Sequence, residues 1–433
     1  MVTRLSADVS PEIQQQGDHL FATIFFTPEG YADPIPSYRA FHETAPVHVS
    51  AFGGAVLSKY EHCRALLRDQ RFGNGDRRQA NDSPFVAGDP AIMAVRQEIN
   101  ERQAGAAESM LGLDPPDHTR QRSLVSRAFT PRTVEKLRPR IAAQVDTYLD
   151  HMVDNGGGDL MADLAMPLPV SVISEMLGVP ADDWPGIREP VTALVASLEP
   201  GASIDELRAS MDARDTLVAY FGDLIARRTT EPADDLISAL IAARDEHDKL
   251  SDAEVMAVTI LLFAAGAETT TNLIGNGVNA LLNHPDQLER LWNDPSLVPA
   301  MVEEVLRYDS PVQLDGRTCL EPAEFAGLSF EPGDRVITLL GGANHDPDVF
   351  PDPDRFDIGR YSTSAEPTAE PVMSFGSGIH YCLGANLARV EAQEAFSGLI
   401  RRFGTIEAAG ERPFRQRMVL RGLEWLPISG TPR

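Results

Sequence analysis

Apolar residues recur every three or four positions along most of the chain, and only a few short stretches alternate with period two. That pattern predicts a mainly helical protein with a small, separate β portion. Near the start, Val47–Ser50 and Ala55–Leu57 flank Phe52-Gly53-Gly54 and read as a hairpin. Gly, Asn and Asp cluster between Gly73 and Asp89, which predicts a long irregular connection over 74–110, and loops of that length are commonly lids. Helical periodicity then covers Thr133–Val153, stopped by Asn155-Gly-Gly-Gly158, and continues over 160–178, 186–199, 204–229 and 234–246. Ser251-Asp-Ala-Glu254 is a capping box that opens the longest helix, running through Leu282. Shorter helices are predicted at 285–293 and 297–308, and strands over Ala323–Leu340 with a turn at Glu331-Pro-Gly-Asp334. A Pro/Asp/Gly-rich coil, Asp346–Gly378, precedes a last helix at Leu383–Phe403.

Length alone would divide 433 residues into two or three domains, but no linker, composition break or repeat marks a division, so one domain is expected. A fold of this size buries roughly three quarters of its unfolded surface, enough to enclose a large apolar cofactor. The net charge of −26 excludes non-specific binding to nucleic acid or to anionic membrane. Three scattered cysteines (Cys63, Cys319, Cys382) make no disulfide framework and fit a reducing compartment. Residues 1–30 lack a basic stretch followed by an apolar core, and the most apolar window, Val255–Ala267, is too short for a bilayer and runs into Glu268. A cytoplasmic monomer is the expectation, with residues 1–20 as a flexible N-terminus.

Cys382 stands alone in the run Phe375-Gly-Ser-Gly-Ile-His-Tyr-Cys-Leu-Gly-Ala385, with glycines on both sides and a helical segment directly after it. A thiol there meets the positive end of a helix and closely approaching backbone N–H groups, which favour the thiolate. A single anionic sulfur suits one axial bond to a haem iron, whereas zinc or iron–sulfur sites need several converging ligands. Taken alone, such a cysteine reads better as a small apolar filler in a glycine-rich turn. The spacing Phe-x-x-Gly-x-His-x-Cys-x-Gly over Phe375–Gly384 resembles the haem-binding loop of the cytochrome P450 family, the haem-thiolate monooxygenases.

Other segments fall in that family's order. In the long helix, Ala264-Ala-Gly-Ala-Glu-Thr-Thr270 leaves little bulk on one turn, and the Thr269 hydroxyl can turn back to the Ala265 carbonyl and bend the helix. Alone it could be a close helix–helix contact. It resembles the family's (Ala/Gly)-Gly-x-(Asp/Glu)-Thr-(Thr/Ser) pattern, which implies that Thr269 stabilises activated oxygen and that Glu268 assists proton delivery. Glu304-Val-Leu-Arg307 and Pro353-Asp-Arg-Phe356 resemble the family's Glu-x-x-Arg and Pro-(Glu/Asp)-Arg-Phe segments, implying one structural network of Glu304, Arg307 and Arg355. The resemblance also implies cofactor contacts from Ala265, Phe375, Gly376 and Gly384. His118, Arg122, Arg317 and His380 coincide with positions that bind haem propionates, whose burial requires donors. From His118 to Arg140 the chain holds six arginines and a lysine against one acid, Glu135. This stretch is either a solvated basic helix or a docking patch for an acidic electron-donor protein.

The resemblance covers about residues 30–428 and implies the cytochrome P450 fold: a triangular prism with haem b between the long central helix and the Cys-loop helix. It implies a soluble bacterial-type monooxygenase that uses O2 and electrons from a ferredoxin and its reductase, since the chain has no flavin or nicotinamide segment of its own. The substrate pocket is expected between the 80–110 loop, the 186–215 region, Leu261, Ala264 and Ala265, the segment Val312–Leu314 with Gln313 and Leu314, and the turn at Met418–Val419. These residues are mostly apolar, so a hydrophobic small molecule is expected. A peroxygenase or isomerase on the same fold is the alternative, though such enzymes commonly lose the acid–alcohol pair. A non-catalytic haem-binding recruitment module is the other, though such proteins typically lose the cysteine or the oxygen groove.

Overall fold

The structure, a computed structural model, describes residues 10–51, 54–75, 89–197, 199–242, 250–362 and 370–433. Helices dominate. In chain order they are α1 (Pro11–Phe26), α2 (Pro28–Ala32), α3 (Ile35–Thr44), α4 (Tyr60–Leu66), α5 (Pro90–Arg102), α6 (Asp117–Val125), α7 (Pro131–Glu135), α8 (Arg138–Asp154) and α9 (Pro167–Leu177). There follow α10 (Trp184–Ala196), α11 (Ile204–Thr230), α12 (Leu236–Ala242), α13 (Asp252–Asn283), α14 (Pro285–Asn293), α15 (Val298–Tyr308), α16 (Leu340–Ala343) and α17 (Ala385–Arg402).

Two compact units make up the chain: Met1–Gly73 with Lys136–Leu168 and Thr269–Arg433, and Asn74–Glu135 with Pro169–Glu268. The first unit holds every sheet found among the described residues. Strands β1 (Val47–Ser50), β2 (Gly54–Leu57), β3 (Phe72–Gly73), β5 (Leu314–Cys319) and β8 (Arg335–Leu339) form one sheet in the order β1-β2-β8-β5-β3. Only β2 and β8 pair in parallel; the other ladders are antiparallel. β4 (Gly157–Asp159), β10 (Pro427–Pro432) and β9 (Phe403–Ala408) form a second sheet, and β6 (Ala323–Phe325) with β7 (Leu328–Phe330) a hairpin. Leu57, Tyr60, Cys63, Phe72, Phe330, Leu340 and Phe350 make a core against the larger sheet, and α17 packs on α8 and α15. Two glycines let helices meet closely: a Cβ at Gly398 would lie 2.5 Å from Val145, and one at Gly277 2.4 Å from Phe396. In the second unit α11 packs on α10, α12 and α5, with Val95, Ala202, Leu207 and Met211 buried between them.

Several sequence expectations need correction. Part of the irregular stretch expected over 74–110 is helix α5, because Asp89 caps it through the Ala91 N–H (2.8 Å) and Pro90 fits the first turn. Residues 76–88, part of the expected lid, lie outside the described residues, as do the hairpin tip Phe52-Gly53, the end of the helix predicted at 234–246, and 363–369 of the expected coil. The N-terminus is helical from Pro11, with Ser10 as cap and Phe21, Ile24 and Phe25 buried. The helix predicted at 133–153 is two, since Pro139 sits in the first turn of α8, where its missing N–H costs nothing. The capping box at Ser251 forms: its hydroxyl accepts from the Glu254 N–H (3.3 Å) and the Glu254 carboxylate accepts from the Ser251 N–H (2.8 Å). The resulting α13 is long and apolar enough to cross a membrane, by length and composition only, contrary to the shorter window read from sequence. Half of its most apolar stretch is buried within the protein, as in a core helix.

Candidate active site

Cys382 lies between a tight turn at Gly378–His380 and the start of α17. Its N–H donates to the Phe375 carbonyl (2.9 Å) and the Tyr381 N–H donates to the Gly378 carbonyl (3.1 Å), which folds the loop back on itself. Gly376 and Gly378 have φ of +68° and +71°, the left-handed region. At Gly378 space is also closed, since a Cβ would lie 2.1 Å from the Leu67 carbonyl oxygen. The loop is tied to the fold from below. The Ser374 hydroxyl meets the Leu306 carbonyl, the Asn344 side-chain Nδ2 (2.8 Å) and the Ser310 hydroxyl (2.8 Å), while Asn344 Oδ1 accepts from the Met373 N–H (2.7 Å). The Arg389 guanidinium lies 4.5 Å from the Phe375 ring centroid and is held by Glu303 (2.9 Å). Of the three cysteines Cys382 alone is exposed. Burial pushes the Cys63 and Cys319 thiols up, and each donates to a carbonyl, Leu57 and Glu321 respectively. Of the three, only Cys382 is open to an incoming group.

Helix α13 is unbroken from Asp252 to Asn283. Along its middle, Leu261, Ala264, Ala265 and Thr269 remain partly or wholly accessible while Leu262, Phe263, Ala267 and Glu268 are buried. The accessible residues sit at i, i+3, i+4 and i+8, one face of the helix. At its N-terminal end, burial opposes the charge of Glu254, but hydrogen bonds from Arg120, Ser251 and Gln121 prevail and hold its carboxyl down at about 2.

Glu304 and Arg307 form a fully buried pair, and the guanidinium also donates to the carbonyls of Asn344 (3.1 Å), Pro353 (2.7 Å) and Arg355 (3.1 Å). The third side chain of this network is not Arg355, which is exposed and contributes only its carbonyl. Arg360 takes that place: its Nε donates to Glu304 (3.0 Å) and its Nη groups to the carbonyls of Pro351, Asp352 and Arg355. Local spacing could not find Arg360, because its partner lies 56 residues away in sequence.

The residues expected at the propionates are distributed as follows. His118 (2 % exposed) and Arg122, half-buried, stand one turn apart on α6. Arg317, 6 % exposed, lies on β5 with its Nη1 donating to Asp315 (2.6 Å) and to the Gly316 carbonyl (2.8 Å). His380 is half-buried in the Cys loop. Among the expected substrate contacts, Leu261, Ala264, Leu314 and Val419 are partly accessible. Gln313 is a correction. Its amide donates to the Ser310 carbonyl (2.6 Å) and accepts from the Tyr38 hydroxyl, and its N–H donates to Val419 (2.9 Å). With both ends of the amide engaged in the interior, Gln313 braces the start of β5.

The family resemblance carried by the Cys382 loop and by the acid–alcohol pair of α13 is matched by comparison with known proteins. The cytochrome P450 family model matches residues 204–421. The chain is 40% identical over 388 residues to cytochrome P450 107B1 of Saccharopolyspora erythraea, covering 88% of this chain and 90% of the relative. It is 38% identical over 411 residues to the vitamin D(3) 25-hydroxylase of Pseudonocardia autotrophica, covering 93% and 95%. The structure of P450BioI in complex with hexadec-9Z-enoic acid ligated acyl carrier protein superposes with a TM-score of 0.82 at 34% identity, covering 93% of this chain and 99% of that one. The chain belongs to the cytochrome P450 family: it has that fold, is a monooxygenase of that class, and takes haem as cofactor. The Cys382 loop fits such a group, with one exposed thiol in a turn shaped by glycines.

Proposed function

We propose that this monooxygenase inserts one oxygen atom of O2 into a largely hydrophobic small molecule, RH + O2 + 2 e⁻ + 2 H⁺ giving ROH + H2O, with electrons from a ferredoxin and its reductase. The observation that carries the reading is the accessible face of α13, where Leu261, Ala264 and Ala265 lead to Thr269 beside the buried carboxyl of Glu268. When bound, haem supplies the reductive activation of dioxygen. Cys382 would hold the haem iron through its sulfur, and the loop's hydrogen bonds and two positive-φ glycines set the backbone that carries it. His118, Arg122, Arg317 and His380 would neutralise the propionates. Leu261, Ala264, Leu314 and Val419 exclude water and hold the substrate by apolar contact. The Thr269 hydroxyl orients oxygen and donates a proton at Oγ1, which Glu268 replenishes. The names of the relatives, one a vitamin D(3) hydroxylase, support an apolar substrate of lipid or secondary-metabolite character.

Exposed Arg127 and Arg132, and separately exposed Lys136 and Arg140, support docking of an acidic electron donor. Arg120 and Arg138 contribute less, being paired with Glu254 and Glu394. The cytoplasm, as a monomer, is the proposed setting. The test is the spectrum of reduced, carbon monoxide-bound protein. A red-shifted Soret band should appear, and Cys382→Ala should abolish it. Turnover should then require ferredoxin, reductase and O2; turnover with peroxide alone would make the protein a peroxygenase.

A further inference from the structure

Beyond Thr269, α13 carries asparagines at 272, 276, 279 and 283, steps of four, three and four that keep the amides on one face. The outer two are engaged by one guanidinium: Arg412 donates to Asn279 Oδ1 (2.7 Å) and to Asn283 Oδ1 (3.1 Å). The inner two have no exposure at all. Asn276 Nδ2 donates to the carbonyls of Asp309 (3.2 Å) and Arg421 (3.1 Å), but its Oδ1 is sealed without a partner. Asn272 has no partner on either Nδ2 or Oδ1. Its amide lies against Gly422, where a Cβ would come within 2.0 Å of Oδ1 and 2.3 Å of Cγ.

A sealed polar atom that stays unsatisfied gives up its hydrogen bonds to water and destabilises the fold. A leucine at either position would avoid that cost, so the amides must have something to bind. A cation does not suit them, because neither residue is anionic and Nδ2 is a donor. One turn apart, a donor (Asn272 Nδ2) and an acceptor (Asn276 Oδ1) complement a water molecule, which accepts from the first and donates to the second. We infer that Asn272 and Asn276 bind an internal water that fastens the Thr269 turn of α13 to the C-terminal turn Leu420–Leu423, and that Asn272 is thereby a positioning residue for Thr269. Only that last role rests on the monooxygenase reading.

Three measurements test it. A crystal structure showing ordered solvent should place a water within hydrogen-bond distance of Asn272 Nδ2 and Asn276 Oδ1; a dry contact between the amides and main chain would overturn the site. Gly422→Ala should lower Tm in the parent but much less in an Asn272→Ala background, because Oδ1 and Cγ, the two nearest colliding atoms, are gone; equal losses in both would refute the packing. In Asn272→Leu, the carbon monoxide spectrum should be unchanged while the share of electrons lost as peroxide rises about threefold, and Asn272→Ser, which keeps a donor and an acceptor, should restore it. An unchanged share in the leucine variant refutes the positioning role but leaves the monooxygenase reading intact. If the parent itself oxidises nothing with donors and O2, that reading fails, and the crystal and Tm results alone decide the water site.

Discussion

Glu304 and Arg307 grip one another through two parallel hydrogen bonds of 2.9 Å, and neither side chain is exposed. Two groups of opposite charge without water are stable only if their remaining donors and acceptors are filled. Here they are, by Arg360, by the Asp357 N–H (2.9 Å) and by three carbonyls of the 344–355 segment. Breaking such a pair leaves an uncompensated buried charge, at a cost of about 3–5 kcal/mol. Glu304→Gln and Arg307→Ala should therefore express poorly or melt far below the parent. Arg360→Ala should lower Tm clearly and Arg355→Ala hardly at all. Thermal melts of the two single variants decide the matter, and equal losses would defeat the assignment of Arg360.

Gly378 holds the Cys loop in a conformation that alanine tolerates poorly. A non-glycine residue in the left-handed region costs about 1–3 kcal/mol, and here the Leu67 carbonyl stands in the way as well. Gly378→Ala should lower both Tm and the fraction of protein that retains haem. Gly384, where a Cβ would meet nothing within 4 Å and φ is −83°, is the control. Gly384→Ala should cost far less stability, as read by the same melts.

Much of this molecule was legible from its residues, for reasons that differ between elements. The capping box at Ser251 announces α13 because both partners lie within one turn. The Cys-loop segment is legible because its glycines answer to local backbone needs, Gly376 and Gly378 both having positive φ. What could not be read depends on distant partners. Arg360 finds Glu304 only after the coil folds back, and Gln313 looks accessible until Tyr38, 275 residues away, claims its amide. Helix α5 was missed because the polar run before it hid the start signal Asp89-Pro90.

Thr269 is the residue whose loss separates binding from chemistry. It sits on the accessible face of α13, and a positioned proton donor contributes on the order of 10²-fold or more. Thr269→Ala should keep haem content and substrate-induced spectral change near those of the parent. Product per electron pair should fall steeply and peroxide should rise to match. Tightly coupled oxidation in that variant would remove Thr269 from proton delivery.

Glu391, on α17 nine residues after Cys382, is 2 % exposed, and its Oε2 has no hydrogen-bond partner. Burial alone raises its carboxyl well above the usual range, so the folded protein keeps it protonated. The unfolded chain releases that proton above about pH 4.3. Between that pH and the raised folded value the unfolded state binds fewer protons, so stability must fall as pH rises through the window. Glu391→Gln removes the titration while keeping the shape. The parent's Tm should decline from pH 5 to pH 8, the variant's decline should be shallower, and the variant should be the more stable of the two at pH 8. Glu391→Leu, which also removes the sealed oxygen, should show the same flattened slope. Parallel slopes for all three proteins would mean that Glu391 finds a proton acceptor or cation in the folded state and is charged there.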